Sequence, residues 1–135
     1  MYFLESVLWL TLNVYHEARS ESDLGRQAVA HVTLNRAAQQ DLSVPEVVLA
    51  PRQFSWTRKK KDNPLPEDPK AFLACLDSAM AALIQEDFTK GATYFHRADI
   101  EAPWTRQLTY LTQLGAHKFY QGGGPEEKGE RATDR

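Results

Sequence analysis

Val14-Tyr15-His16-Glu17-Ala18-Arg19-Ser20-Glu21 is where this chain discloses both a helix and a chemistry. Upstream of it, Phe3, Val7, Leu10 and Val14 recur at steps of three and four, with Leu4, Leu8, Tyr15 and Ala18 alongside, the pattern of a helix laid on a core. Extending that row by three reaches Glu17, so a carboxylate stands at the border of the apolar face and not on the solvated side. Burial there disfavours its charged form, and the partial negative charge of a helix C-terminus disfavours it further. Both effects predict a carboxyl group that keeps its proton near neutral pH, as a general acid must. The plainer alternative is that Glu17 only marks a helix end and pairs with Arg19 or Arg36.

Working outward, Ser22 or Asp23 offers an N-cap for a second helix over about residues 24–39, rich in Ala28, Ala30, Val32 and Leu34 and therefore buried. Gly25, Ala28 and Ala30 would let another backbone come close, and the helix carrying Glu17 is the expected neighbour. Ser43 and Pro45 open a short helix to Leu49. Pro51, Pro64 and Pro66, with Pro69 just beyond, make four of the seven prolines, and with the run Arg58-Lys59-Lys60-Lys61 residues 51–68 read as a long irregular loop. Asp68 caps a strong helix from Pro69 to about Gln85, with Phe72, Leu76, Met80 and Leu83 on its expected core face. Beyond Gly91 the residues turn aromatic, β-branched and alternating. Short strands are expected near 93–95, 108–114 and 117–120, with Gly115 turning between the last two.

With 135 residues, 42% of them hydrophobic, the chain has material for one core and not two. A net charge of −2 gives no general attraction to nucleic acid or to an anionic membrane, and no segment is apolar enough to span one. The basic run reads as a solvated loop, its functional alternative being a contact with an anionic polymer. Cys75, the only cysteine, falls on the apolar side of a helix and is assigned to the core. The last 14 residues, from Gly122, hold no aromatic and alternate in charge, so a flexible tail at 122–135 is expected after a catalytic unit at 1–121. The first residues lack the basic region and cleavage site of an export signal.

Five separated segments then share one pattern. They are 15–21; Gly25-Arg26-Gln27-Ala28-Val29-Ala30 running into Leu34-Asn35-Arg36; Gln53-Phe54-Ser55; Gly91-Ala92-Thr93-Tyr94-Phe95-His96 with Pro103-Trp104; and 114–120. In order and spacing they resemble the SleB-like cell-wall hydrolases, the family of the spore cortex-lytic enzyme, over about residues 4–121. His16 departs from the small residue usual there, and Ser20 from a frequent glycine. The resemblance implies a mainly α, lysozyme-like domain with a small β element. It also implies a catalytic role for Glu17 in cutting the bond between N-acetylmuramic acid and N-acetylglucosamine in peptidoglycan.

Glycosidases usually pair their acid with a second carboxylate. The candidates here are Glu21, Asp23 and Asp62, with Glu21 one turn beyond Glu17 and equally readable as a solubilising residue at a helix end. Without a second carboxylate, the route implied by the family is lytic transglycosylation, in which the sugar's own 6-hydroxyl is the nucleophile and one glutamate serves as acid and then base. Hydrolysis by water, as in a muramidase, is the alternative outcome. Candidate substrate contacts are Gln27, Gln53, Ser55, Tyr94, His96 and Trp104; Tyr94 and His96 share a strand face, and Gln27 inside its helix needs a partner, either Glu17, a sugar or a loop carbonyl. Asn35-Arg36 and His117 read as braces.

A zinc protease is excluded because the histidine required four residues after His16 is Ser20. No metal or cofactor is called for. Glycan strands are the expected partner, met by a monomer at the bacterial cell wall. A phage lysis or virion protein and a domain of an exported bacterial protein would look alike at this level. A wall-binding module that holds glycan without cutting it is the rival from another class.

Overall fold

The computed structural model describes residues 2–50, 53–60 and 64–122. The expected tail beyond 122, Asp62 and the lysine side chains of the basic run lie outside it. Within it run α1 (Tyr2–Ala18), α2 (Asp23–Gln40), α3 (Val44–Leu49), α4 (Thr57–Lys60) and α5 (Pro69–Ile84), then β1 (Tyr94–Arg97), a 3-10 turn (Pro103–Gln107), β2 (Thr109–Leu114) and β3 (His117–Gln121). The expected mainly α domain with a small β element is what forms. The stretch read as one irregular loop contains α4, and the 3-10 turn had no clear periodicity to announce it.

Helix starts follow from local chemistry. Ser22 Oγ accepts from the Gly25 amide, Asp68 accepts from the Lys70 and Ala71 amides, and Ser43 and Glu46 cap each other's backbone reciprocally. Each satisfies amides that the helix leaves unpaired.

Helices α1, α2 and α5 pack pairwise, with α3 against α1 and α2. Two faces differ from their expected form. In α1 burial covers Leu10 to Tyr15 and Ala18, whereas Phe3, Leu4 and Leu8 are exposed; periodicity identifies an apolar face but not how far a partner covers it. In α5 the buried residues are Cys75, Ser78, Ala79 and Ala82, while Phe72 and Leu83 only flank the core and Met80 is exposed. Small side chains let α5 sit close to two helices at once, which the row of large residues would prevent. Cys75 is fully buried, as expected, and burial pushes its thiol pKa up.

The sheet is antiparallel in the order β1-β3-β2, with Phe95 opposite Phe119 and Tyr94 opposite Tyr120. Phe95 and Phe119 belong to the core shared with the helices. Alternation therefore sends Tyr94, His96, Lys118 and Tyr120 to the other face. Gly115, at φ +58°, supplies the left-handed residue of the tight β2–β3 turn. Gly122, assigned to the tail by sequence, is held at the sheet: its amide donates to Thr93 Oγ1 at 2.9 Å, and its carbonyl accepts from Gln39. None of the described helices is long and apolar enough to cross a membrane.

Candidate active site

Glu17 is the penultimate residue of α1 and is half-buried. The two residues before it are clamped. Tyr15 accepts at its hydroxyl from the backbone amides of Glu67 and Asp68, at 3.2 and 3.1 Å. His16 stacks on Trp56 with ring centroids 4.2 Å apart, and its Nε2 lies 3.0 Å from the Pro64 carbonyl. A carbonyl only accepts, so this nitrogen carries a proton. Trp56 in turn donates to Asn13 Oδ1 at 2.7 Å, and Asn13 donates to Thr33 at 3.1 Å. This buried chain ties the segment after Gln53 to α1 and α2.

The proposed ion-pair partners of Glu17 are engaged elsewhere. Arg19 lies over the Tyr15 ring at 4.9 Å and donates to the Tyr15 carbonyl. Arg36 is buried, donates to the Thr93 carbonyl at 3.1 Å and to Gln53 Oε1, and sits 4.7 Å from the centre of the Tyr94 ring. Burial pulls its guanidinium pKa below the usual range, and its Nε has no hydrogen-bond partner among the described residues. Arg36 thus braces, as expected, but what it braces is Gln53 and Tyr94.

From there an aromatic run continues along the sheet. Trp104 lies 5.9 Å from both Tyr94 and His96, and His96 stacks on Tyr120 at 5.3 Å. His96 Nδ1 is 2.7 Å from the Arg97 carbonyl and must donate to it, and its Nε2 lies 2.9 Å from the Tyr120 hydroxyl. Gln53, Tyr94, His96 and Trp104 are therefore brought into one group. Tyr94 and His96 are almost wholly buried, forming its floor, whereas Trp104 and Ser55 are half-buried. Tyr120, Arg36, Asn13 and Trp56 were not singled out as site residues. Tyr120 was recoverable from strand alternation; the Asn13–Trp56 pairing, 43 residues apart, carries no local signal.

Gln27 does not join this group. Its amide donates to Asp23 Oδ2 at 3.0 Å and accepts from Gln85 at 2.9 Å, which ties α2 to the end of α5 and leaves it no part in orienting Glu17. Asp23 also accepts from Ser78, and these bonds hold its carboxyl below the ordinary carboxylate range. Glu21 Oε1 lies 3.8 Å from His117 Nδ1, with Gly25 and Gly115 close beside it. A methyl group on Gly25 would stand 3.1 Å from Glu21 Cβ, so this glycine makes room for Glu21 and not for α1 as expected. His117 is buried, packs on Phe95 and has its pKa pushed down by burial, with the Glu21 charge partly opposing the shift. Among the described residues no three His, Cys, Asp or Glu side chains cluster as metal ligands would.

The fold thus sets out a glutamate in the last turn of α1, clamped neighbours before it and an aromatic group on a small sheet. The family model described as Cell Wall Hydrolase matches residues 20–120, and the chain belongs to that family. Its fold is shared with two solved structures. The catalytic domain of the germination-specific lytic transglycosylase SleB from Bacillus anthracis aligns with a TM-score of 0.73 and 25% identity, over 86% of this chain and 93% of that one. The catalytic domain of the Bacillus cereus SleB protein aligns with a TM-score of 0.69 and 26% identity, over 86% and 89%. Comparison with curated proteins gave no match.

Proposed function

We propose that this cell-wall-degrading enzyme cleaves the β-1,4 bond from N-acetylmuramic acid to N-acetylglucosamine in peptidoglycan as a lytic transglycosylase, with Glu17 as its single acid and base. The observation that carries this reading is the placement of Glu17: half-buried in the last turn of α1, its preceding residues fixed by Tyr15 and His16 contacts. The family match begins at residue 20, so the role of Glu17 rests on this geometry and on the sequence resemblance around it.

The chemistry balances on one carboxyl group. Glu17 gives its proton to the bridging oxygen as the bond from the muramic acid C1 to that oxygen breaks, leaving a positively charged, sugar-like transition state. The muramic acid 6-hydroxyl then bonds to C1, and its proton passes to the Glu17 carboxylate, restoring the acid. An internal nucleophile starts at high effective concentration, so no second carboxylate is required. Glu21 supports this route by being held against His117 between two glycines, the setting of a brace. Gln53, Ser55 and Trp104 would meet sugar hydroxyl and N-acetyl groups, over the floor formed by Tyr94 and His96. All these groups come from one chain, so a monomer suffices. Its place of action is the bacterial cell wall, reached as a phage lysis or virion protein or as part of an exported bacterial protein.

The test is Glu17→Gln on purified sacculi. Loss of general acid–base catalysis should lower the rate by about 10²- to 10⁴-fold while sacculus binding persists. Products of the unaltered enzyme should be lighter by about 18 Da, one water, than hydrolysed ones, because the sugar hydroxyl replaces solvent as nucleophile. Products carrying that water would make it a muramidase, and a Glu17→Gln protein that cuts as fast as the unaltered one would take the acid role away from Glu17.

A further inference from the structure

The outer face of the sheet carries a recess that shares His96 with the proposed glycan floor but whose charged rim the glycan-cleaving reading leaves unused. Between the end of β1 and the 3-10 turn the chain loops away and returns, leaving a recess of about 440 Å³ whose floor is His96 and Tyr120. Glu101, Arg106, Lys118 and Asp99 also line it. Asp99 is paired with Arg97 at 2.7 Å. Among the described residues Glu101, Arg106 and Lys118 make no ion pair or side-chain hydrogen bond, so charges of both signs line one hollow without neutralising each other. Lys118 is half-buried, lying opposite His96 in the sheet, so a charge brought to it would be screened less than at an open surface.

A glycan strand of N-acetylated sugars is neutral along its hydroxyl and acetamide faces and gains little from such a rim. A short peptide with several carboxylates and a free ammonium matches it in both signs. We infer that this recess binds the stem peptide carried by the muramic acid residue, its carboxylates toward Lys118 and Arg106 and its side-chain ammonium toward Glu101. The inference rests on the peptidoglycan reading above and specifies which part of that substrate the site recognises beyond the sugar.

The position fits this assignment. Ala98, on the recess wall, donates its amide to the Ala116 carbonyl at 2.7 Å. Ala116 follows Gly115, and a methyl group on Gly115 would stand 3.7 Å from Glu21 Oε1. Glu21 is four residues past Glu17. The backbone of the recess wall is thus tied to the β2–β3 turn, and Glu21 lies near the same turn.

Two measurements test this. In the first, the full chain digests sacculus glycan before and after the stem peptides are removed with an amidase, and the ratio of the two rates is read. The ratio should favour peptide-bearing glycan by about tenfold, the scale of one charge-assisted contact, and should fall toward one in Lys118→Ala and in Glu101→Gln. An equal rate on both substrates, or a ratio unchanged in both variants, overturns the inference. In the second, the free stem tripeptide of alanine, glutamate and diaminopimelate is titrated into the protein by NMR. Shifts confined to the amides of residues 98–106 and 117–120, absent in Lys118→Ala, support the site, and no shift there rejects it. A protein without lytic activity that still shows those shifts sinks the enzymatic reading and leaves the peptide site standing.

Discussion

At position 56 an indole N–H meets a buried amide oxygen, and the consequence of that single bond is larger than its length suggests. Trp56 holds Asn13 at 2.7 Å while its ring face carries His16, so one side chain fixes both the core of α1 and the residue before Glu17. Trp56→Phe keeps the stack and deletes the donor, leaving the Asn13 oxygen buried and unpaired. A loss of about 1–3 kcal/mol is expected, read as a lower midpoint in urea denaturation at unchanged slope. Activity should fall by more than the unfolded fraction explains, because the mutation also loosens the segment that follows Gln53. At this scale type and spacing singled out Glu17, Tyr94, His96 and Trp104 as candidates, and the structure brings the last three together. It misplaced Gln27, since a polar residue in a buried helix announces that it needs a partner but not which one: here Asp23 and Gln85.

Among elements, the three strands show what a short-range pattern can and cannot carry. Alternation of aromatic and polar residues was enough to put Tyr94 and His96 on one face and Phe95 on the other. It was not enough to locate the 3-10 turn that sets Trp104 over them, because five residues with a proline and no period look like any loop. The α5 face went astray for a related reason: large apolar residues draw the eye, yet the helix buries Cys75, Ala79 and Ala82, where the neighbours come close. The end of the sheet is as tightly drawn. A methyl group at Gly122 would overlap the Tyr94 ring, with Leu108 also near. Gly122→Ala should therefore cost about 1–3 kcal/mol as an overpacked site and displace that ring from Arg36. Thermal denaturation reads the first effect, and a changed environment for the Tyr94 ring signals in NMR reads the second.

For the molecule as a whole, acidity acts on stability through two buried imidazoles. Burial pushes the pKa values of His31 and His117 below their unfolded value, against the opposing pull of Asp87 and Glu21. The unfolded chain then binds protons that the folded one refuses, so stability is complete above about pH 6.5 and declines as pH falls below it toward the folded values. A thermal midpoint that is level from about pH 8 to 7 and drops by pH 5.5 is expected, with a shallower drop in His31→Gln. Asp23 and Asp87, both held below the usual carboxylate range, add a further loss only below about pH 4. A midpoint that rises on acidification through pH 6 would contradict this. The mainly α class and its β element were legible at this scale because caps and periodicity are local. The convergence of α1, the Gln53 turn and β1 was not, because Arg36 and Trp56 join residues far apart in the chain.

That convergence has a practical meaning for anyone mutating the protein. Tyr94, Trp104 and Tyr120 arrive some eighty to a hundred positions after Glu17, so damage to the last third would silence the chemistry proposed for the first. In a screen for lost lysis, hits would scatter over the whole length and outline the scaffold. Only variants that fold normally and still grip the sacculus would mark the bond-breaking group itself.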